Sequence, residues 1–164
     1  MNASVTPYSA LPVRGSLLAL DHSRAATGIA IASFELGLAR PLQVLRQPDE
    51  EARLAALGRL IQDWQPVLLV LGLPLDRDGG EQPQSRRVRR FAARLEQRFG
   101  LPLVLHDERW STAAAEADLR VQGAGAARLA REGDAQAARE ILQGFLDACT
   151  TGRAPHAADP GTAT

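Results

Sequence analysis

Hydrophobic and polar positions alternate in two regimes along the chain. Leu17–Asp21, Thr27–Ser33 and Pro41–Arg46 are short runs rich in Leu, Ile, Val and Ala, parted by polar breaks at Ser23–Ala26 and Glu35–Gly37. Those breaks are too short for a crossover helix, so the three runs predict an antiparallel meander of strands. After Gln47 the spacing lengthens. Pro48-Asp49 marks a helix start, and Leu54, Leu57, Ile61 and Trp64 recur at helical intervals. Val67–Leu71 is apolar on both faces, as a covered central strand is. Val88, Phe91, Ala92, Leu95 and Phe99 predict a second amphipathic helix, ended by Gly100 and Pro102, with a further buried strand at Leu103–Leu105. Ser111 or Thr112 caps a third helix reaching Gln122, and the glycines between Gly123 and Gly133 predict a loop. A last helix, opening at Asp134, carries Ala138, Ile141, Leu142, Phe145 and Cys149 on one face.

The resulting order, β-β-β-α-β-α-β-α-α, predicts an α/β fold. Its core is a five-stranded mixed sheet, three antiparallel strands and then a parallel βαβ half, flanked by helices. Right-handed crossovers place the fourth strand beside the first and the fifth beside the fourth. The carboxyl ends of strands 1, 4 and 5 then meet at one edge, where such sheets bind ligands. The 164 residues suffice for one domain. It is expected over residues 16–150, between a flexible N-terminal segment, 1–15, and a disordered small-residue tail, 151–164.

Four acids fall at that edge. Asp21 ends strand 1, Asp107 and Glu108 end strand 5, and Asp134 sits on the buried stripe of the last helix. Singly, each has a plain structural reading as a turn cap, an arginine partner or an N-cap. Together they are carboxylates from distant stretches aimed at one place, where mutual repulsion raises their pKa and costs stability. A divalent cation relieves that repulsion, and an oxygen-only donor set favours Mg²⁺ or Mn²⁺ over zinc. Two-metal phosphodiester hydrolysis suits such a site, because it needs positioned ligands and no nucleophilic side chain. His22 and His106 flank two of the acids, as structural neighbours or in proton transfer.

Nineteen arginines balance nineteen acids, and there is no lysine. Net charge is zero, but it is unevenly spread. Between Arg77 and Arg98 seven arginines face only Asp78, Glu81 and Glu96. Arg87, Arg90, Arg94 and Arg98 form one line on the second helix, with Arg86 and Arg89 on its exposed arc. The stripe is either a solvated helix face or a phosphate contact, for which the planar guanidinium is suited. Pro74–Gln84, with Gly79-Gly80, is a surface insertion or a loop able to fold over substrate. No apolar run approaches the roughly 20 residues of a membrane span, and no apolar signal-peptide core is visible before Gly15. The lone Cys149 excludes an intrachain disulfide, consistent with a reducing cytoplasm.

Leu20-Asp21 with Thr27-Gly28-Ile29-Ala30, Gly72-Leu73-Pro74-Leu75 with Asp78-Gly79, Asp107-Glu108-Arg109-Trp110-Ser111-Thr112, and Asp134-Ala135-Gln136-Ala137-Ala138 with Ile141-Leu142 resemble, in that order, the YqgF (RuvX) family. The resemblance runs from Leu17 to Asp147. It implies a ribonuclease H-like fold related to Holliday-junction resolvases, and a cytoplasmic nuclease for the 5′ end of pre-16S ribosomal RNA. By position, Asp21, the Asp107/Glu108 pair and Asp134 would bind Mg²⁺ or Mn²⁺, with Asp21, Glu108 and Asp134 catalytic. Arg109 would contact phosphate or brace the acids; apart from the resemblance, Arg86, Arg87 and Arg90 of the stripe, with Arg24, are the expected nucleic-acid contacts. The partners implied are pre-rRNA or branched DNA, with ribosomal particles, for a monomer or weak dimer. In one segment the chain departs from the family pattern D-x-G-x-K-R-x-G: Ser23, Ala25 and Ala26 stand where a glycine and a basic pair are usual. That departure motivates the alternative of a non-catalytic ribosome-assembly module. A phosphotransferase of the sugar-kinase or actin type also carries an early Asp, but the chain is short for two lobes and lacks a Gly-rich phosphate loop.

Overall fold

The computed structural model describes Thr6 and residues 10–108 and 126–151. The expected helix from Ser111 or Thr112 to Gln122 lies outside these residues, as do most of segment 1–15 and of tail 151–164. The strands are β1 (Ser16–His22), β2 (Thr27–Ser33), β3 (Arg40–Leu45), β4 (Leu68–Leu73) and β5 (Leu103–Asp107). The helices are α1 (Glu50–Trp64), α2 (Pro83–Phe99) and α3 (Ala126–Thr150).

The strand order is β3-β2-β1-β4-β5. β2 runs antiparallel to β1 and β3, while β4 is parallel to both β1 and β5. The mixed sheet expected from the spacing of the apolar runs is therefore the one observed. Pro41 is tolerated in β3 because that strand is an edge and its missing N–H interrupts no central ladder.

Side-chain alternation sorts the two faces. Leu18, Leu20, Ile29, Leu69, Leu71, Leu103 and Leu105 point one way and are covered by α1 and α2 through Leu54, Leu57, Val88 and Phe91. Leu17, Ala19, Ala30, Ala32, Val70 and Val104 point the other way, under Ala138, Ile141, Leu142 and Phe145 of α3. The second face is built largely of alanine, so α3 lies close to the sheet.

Asp49 caps α1, accepting from the backbone N–H of Glu51 (3.0 Å) and Ala52 (3.3 Å). Gly100 closes α2 in the left-handed conformation, φ 63°, as the Gly-Pro ending suggests. One expectation is corrected. Asp134 does not open the last helix: α3 begins at Ala126 and Gly133 is internal. Alanine, leucine and arginine before Gly133 are strong helix formers, and one internal glycine costs only about 1 kcal/mol.

Candidate active site

The end of β1 presents Asp21 on the α3 face, in line with Leu17 and Ala19. Across the sheet it pairs with Gly28 of β2. A Cβ at Gly28 would lie 1.9 Å from the Asp134 carbonyl oxygen. The absent side chain is therefore what lets the α3 backbone descend beside Asp21 and bring Asp134 with it. Gly72 of β4 makes similar room for Glu108, since a Cβ there would stand 2.1 Å from Glu108 Oε1 and 2.4 Å from Ile141 Cδ1. Two glycines thus allow α3 and Glu108 to approach the sheet closely at the end of β1, where the charges of Asp134 and Glu108 act on Asp21.

The Asp21 and Glu108 carboxyls share a hydrogen bond. Burial raises Asp21 to about 6, helped by the charge of Asp134, while the bond from Glu108 pulls it back. Burial raises Glu108 further, to about 8, with the charge of Asp21, the shared bond and the charge of Asp107 adding to it. Both shifts are upward, so the pair retains a proton well above the usual carboxylate range, held in the hydrogen bond between the two carboxyls. Among the described residues no three acidic, histidine or cysteine side chains are already drawn into a metal cage. The donor set is nevertheless that of a hard cation: oxygen only, with like charges that a proton now holds together. A divalent ion can take over that proton's role.

Asp107 departs from the expected foursome. It is buried, 3% exposed, but continues the alternation of Leu103 and Leu105 and so faces α1 and α2. It acts on Glu108 by charge from the other side of the sheet.

Residues 15–148 match the family described as RuvX, Holliday junction resolvase. The chain belongs to the RuvX family. Proteins named "Putative pre-16S rRNA nuclease" from Thiobacillus denitrificans and Nitrosospira multiformis are 44% and 43% identical to this RuvX chain. These alignments span 84% and 83% of it and 94% and 90% of the relatives. Among solved structures, Thermus thermophilus RuvC in complex with a Holliday junction substrate superposes with a TM-score of 0.55 at 15% identity, covering 86% of this chain and 98% of that one. Fowlpox virus resolvase, in complex with Holliday junction DNA, gives 0.53 at 9% identity, covering 82% and 98%. These two likenesses establish the ribonuclease H-like fold.

The arginine stripe of this RuvX chain is partly neutralised. Arg94 pairs with Glu50 and Glu51, Arg98 with Glu51, and Arg89 with Glu81. Arg86 and Arg90 remain exposed on α2, and Arg24 on the β1–β2 turn. Arg87 is half-buried. Its Nη1 donates to Gln84 Oε1 (2.7 Å), and Gln84 Nε2 donates to the His22 carbonyl (2.7 Å). Gln84 thereby ties Arg87 to the residue after Asp21. Arg109 and Trp110 lie outside the described residues.

His22 is buried on the α1/α2 face, stacked on Phe91 with centroids 3.7 Å apart. Burial and the charges of Arg53 and Arg87 lower it to about 4, so it is neutral at pH 7. Thr27 Oγ1 lies 2.9 Å from its Nδ1 and also accepts from Arg53. Such a histidine is a packing group. His106 sits against Phe145 in an edge contact. The loop after β4 is fastened at both ends. Asp76 Oδ1 accepts from the N–H of Asp78 (3.0 Å) and Gly80 (2.7 Å), and the Ser85 hydroxyl donates to Pro74 O.

Gly28, Gly72, Gln84 and Arg53 were not singled out individually by spacing or composition. The two glycines do lie inside the family-like segments, but their reason is a helix and a carboxyl approaching from far along the chain.

Proposed function

We propose that this RuvX-family chain is a divalent-metal-dependent endonuclease that hydrolyses phosphodiester bonds in structured nucleic acid, with the 5′ end of pre-16S rRNA as substrate in the bacterial cytoplasm. The observation that carries the reading is the proton-sharing pair Asp21–Glu108, with Asp134 brought beside it by Gly28. Asp21, Glu108 and Asp134 would hold Mg²⁺ or Mn²⁺, and Asp107 would tune Glu108 from behind. Such ions, when bound, activate water and neutralise charge on the phosphate and the departing oxygen. The chain's own residues anchor the ions and orient the backbone of the substrate. Arg24, Arg86, Arg90 and Arg109 would contact flanking phosphates, and Arg87, steadied by Gln84, the phosphate nearest the acids. The names of the relatives at 44% and 43% identity support RNA as substrate.

Junction DNA is the second reading, favoured by the resolvase description of the matching family. Cleavage of labelled pre-16S RNA ends and of a four-way DNA junction, with Mg²⁺ or Mn²⁺, decides between them. Asp21→Asn and Asp134→Asn should each lower the rate roughly a thousandfold with the circular dichroism unchanged. Undiminished cleavage by Asp21→Asn would place the catalysis outside these acids, and binding without cleavage by the unaltered protein would make the chain a non-catalytic module.

A further inference from the structure

The turn after Asp21 lacks the glycine and basic pair of the family pattern, yet it is closed. The Ser23 N–H donates to Ala26 O (2.9 Å), and the Ala26 N–H donates to Ser23 Oγ (3.2 Å). Among the described residues only Gln65 is a non-glycine with positive φ, so Ser23 takes no left-handed conformation. Beneath the turn lies the guanidinium of Arg53, from the first turn of α1 and only 3% exposed. Its Nη1 donates to Ser23 O (2.8 Å) and Thr27 Oγ1 (3.4 Å). Its Nη2 donates to Arg24 O (3.3 Å) and Gln47 O (2.8 Å), and its Nε to Gln47 O (3.2 Å).

Every one of these acceptors is neutral. A buried cation that bonds only carbonyls and a hydroxyl stabilises a fold poorly compared with an apolar side chain of similar volume. Its value lies in geometry. One planar fork joins the turn that follows Asp21, the start of β2 and the segment entering α1.

We infer that Arg53 is a positioning residue for Asp21: from α1 it braces, beneath the turn, the backbone carbonyls that follow Asp21, and so fixes the Asp21 carboxylate for a divalent ion. The inference rests on the metal-site reading above and deepens it. A lysine has one donor centre and cannot span both the turn and Gln47, whereas methionine removes the charge and every bond.

Arg53→Lys and Arg53→Met, each checked for folding by circular dichroism, test it through two readouts. The first is hydrogen exchange at the Ser23 and Ala26 amides, expected to quicken roughly tenfold in both variants while β4 amides keep their protection. The second is Mn²⁺ affinity followed by electron paramagnetic resonance, expected to fall roughly tenfold in Arg53→Met and less in Arg53→Lys. Should Arg53→Met not fold, Arg53→Lys carries the comparison. Unchanged Mn²⁺ affinity in a folded Arg53 variant overturns the inference, and so does unchanged exchange at the turn. If the unaltered protein takes up no Mn²⁺, the metal reading fails and the coupling to Asp21 fails with it. The exchange data then still report whether Arg53 holds the turn.

Discussion

Glu108 and Asp21 hold one proton between them because neither can face water fully and both face other negative charge. Folding raises both pKa values, so the folded state binds more protons than the unfolded one as pH climbs from the ordinary carboxylate range towards 8. Their stabilising contribution is complete at low pH and is lost as pH rises through the folded values. His22 has the opposite sign. Its folded value is lowered from 6.5 to about 4, so its contribution is complete above 6.5 and is lost as pH falls towards 4. Below pH 6.5 the two effects oppose, and above it the acid pair acts alone. In a chelator, stability measured by urea unfolding should therefore fall by about 1–2 kcal/mol between pH 6.5 and 8. Glu108→Gln should flatten that slope and unfold at higher urea than the unaltered protein at pH 8. Saturating Mn²⁺ should reverse the slope, because ligating carboxylates must be deprotonated. A slope that Glu108→Gln leaves unchanged would place the proton elsewhere.

At the scale of elements, the site depends on how closely α3 approaches the sheet. Alanines at 19, 30, 32 and 138 permit the approach, and Gly28 and Gly72 complete it where the acids lie. Gly28→Ala should lower stability by about 1–3 kcal/mol through overpacking, and Mn²⁺ affinity should drop as Asp134 is levered away. Ala32→Gly, on the same face but distant from the acids, should lower stability while leaving Mn²⁺ affinity unchanged. Urea unfolding beside a Mn²⁺ titration checks both. The strands and their order were legible in the sequence because apolar runs, break lengths and crossover handedness suffice to fix them. So was the convergence of Asp21 with a strand-5 acid, since both follow apolar strands that the topology makes near neighbours. Which acid of Asp107 and Glu108 joins Asp21 was not legible, because it turns on strand phase at the last residue of β5. The start of α3 is not legible either, because Gly133 looks like a stop until the sheet beneath it is known. Arg53 is not legible in the sequence, because four of its five bonds go to backbone carbonyls, two of them on Ser23 and Arg24 some thirty positions away.

For the whole molecule, neutral net charge hides an uneven surface. Long-range ion pairs between the start of α1 and the second half of α2 absorb Arg94 and Arg98, leaving Arg86, Arg90 and Arg24 exposed. Pairing of this kind joins residues more than forty positions apart, which a local charge tally cannot register. Binding of structured RNA or junction DNA should weaken with salt. Arg86→Ala and Arg90→Ala should each reduce the slope of log affinity against log salt by about 1. Arg98→Ala should leave that slope nearly unchanged, and equal effects from all three would show that the ion pairs open on binding. The proposed chemistry requires carboxylates from β1, the end of β5 and α3 to bind divalent metal together. Anomalous diffraction from a crystal soaked in Mn²⁺ tests this directly. Manganese density bounded by Asp21, Glu108 and Asp134, and lost in Asp21→Asn, is the predicted result. Density lodged instead beside Asp107 on the α1/α2 face, or density that persists in Asp21→Asn, would contradict it.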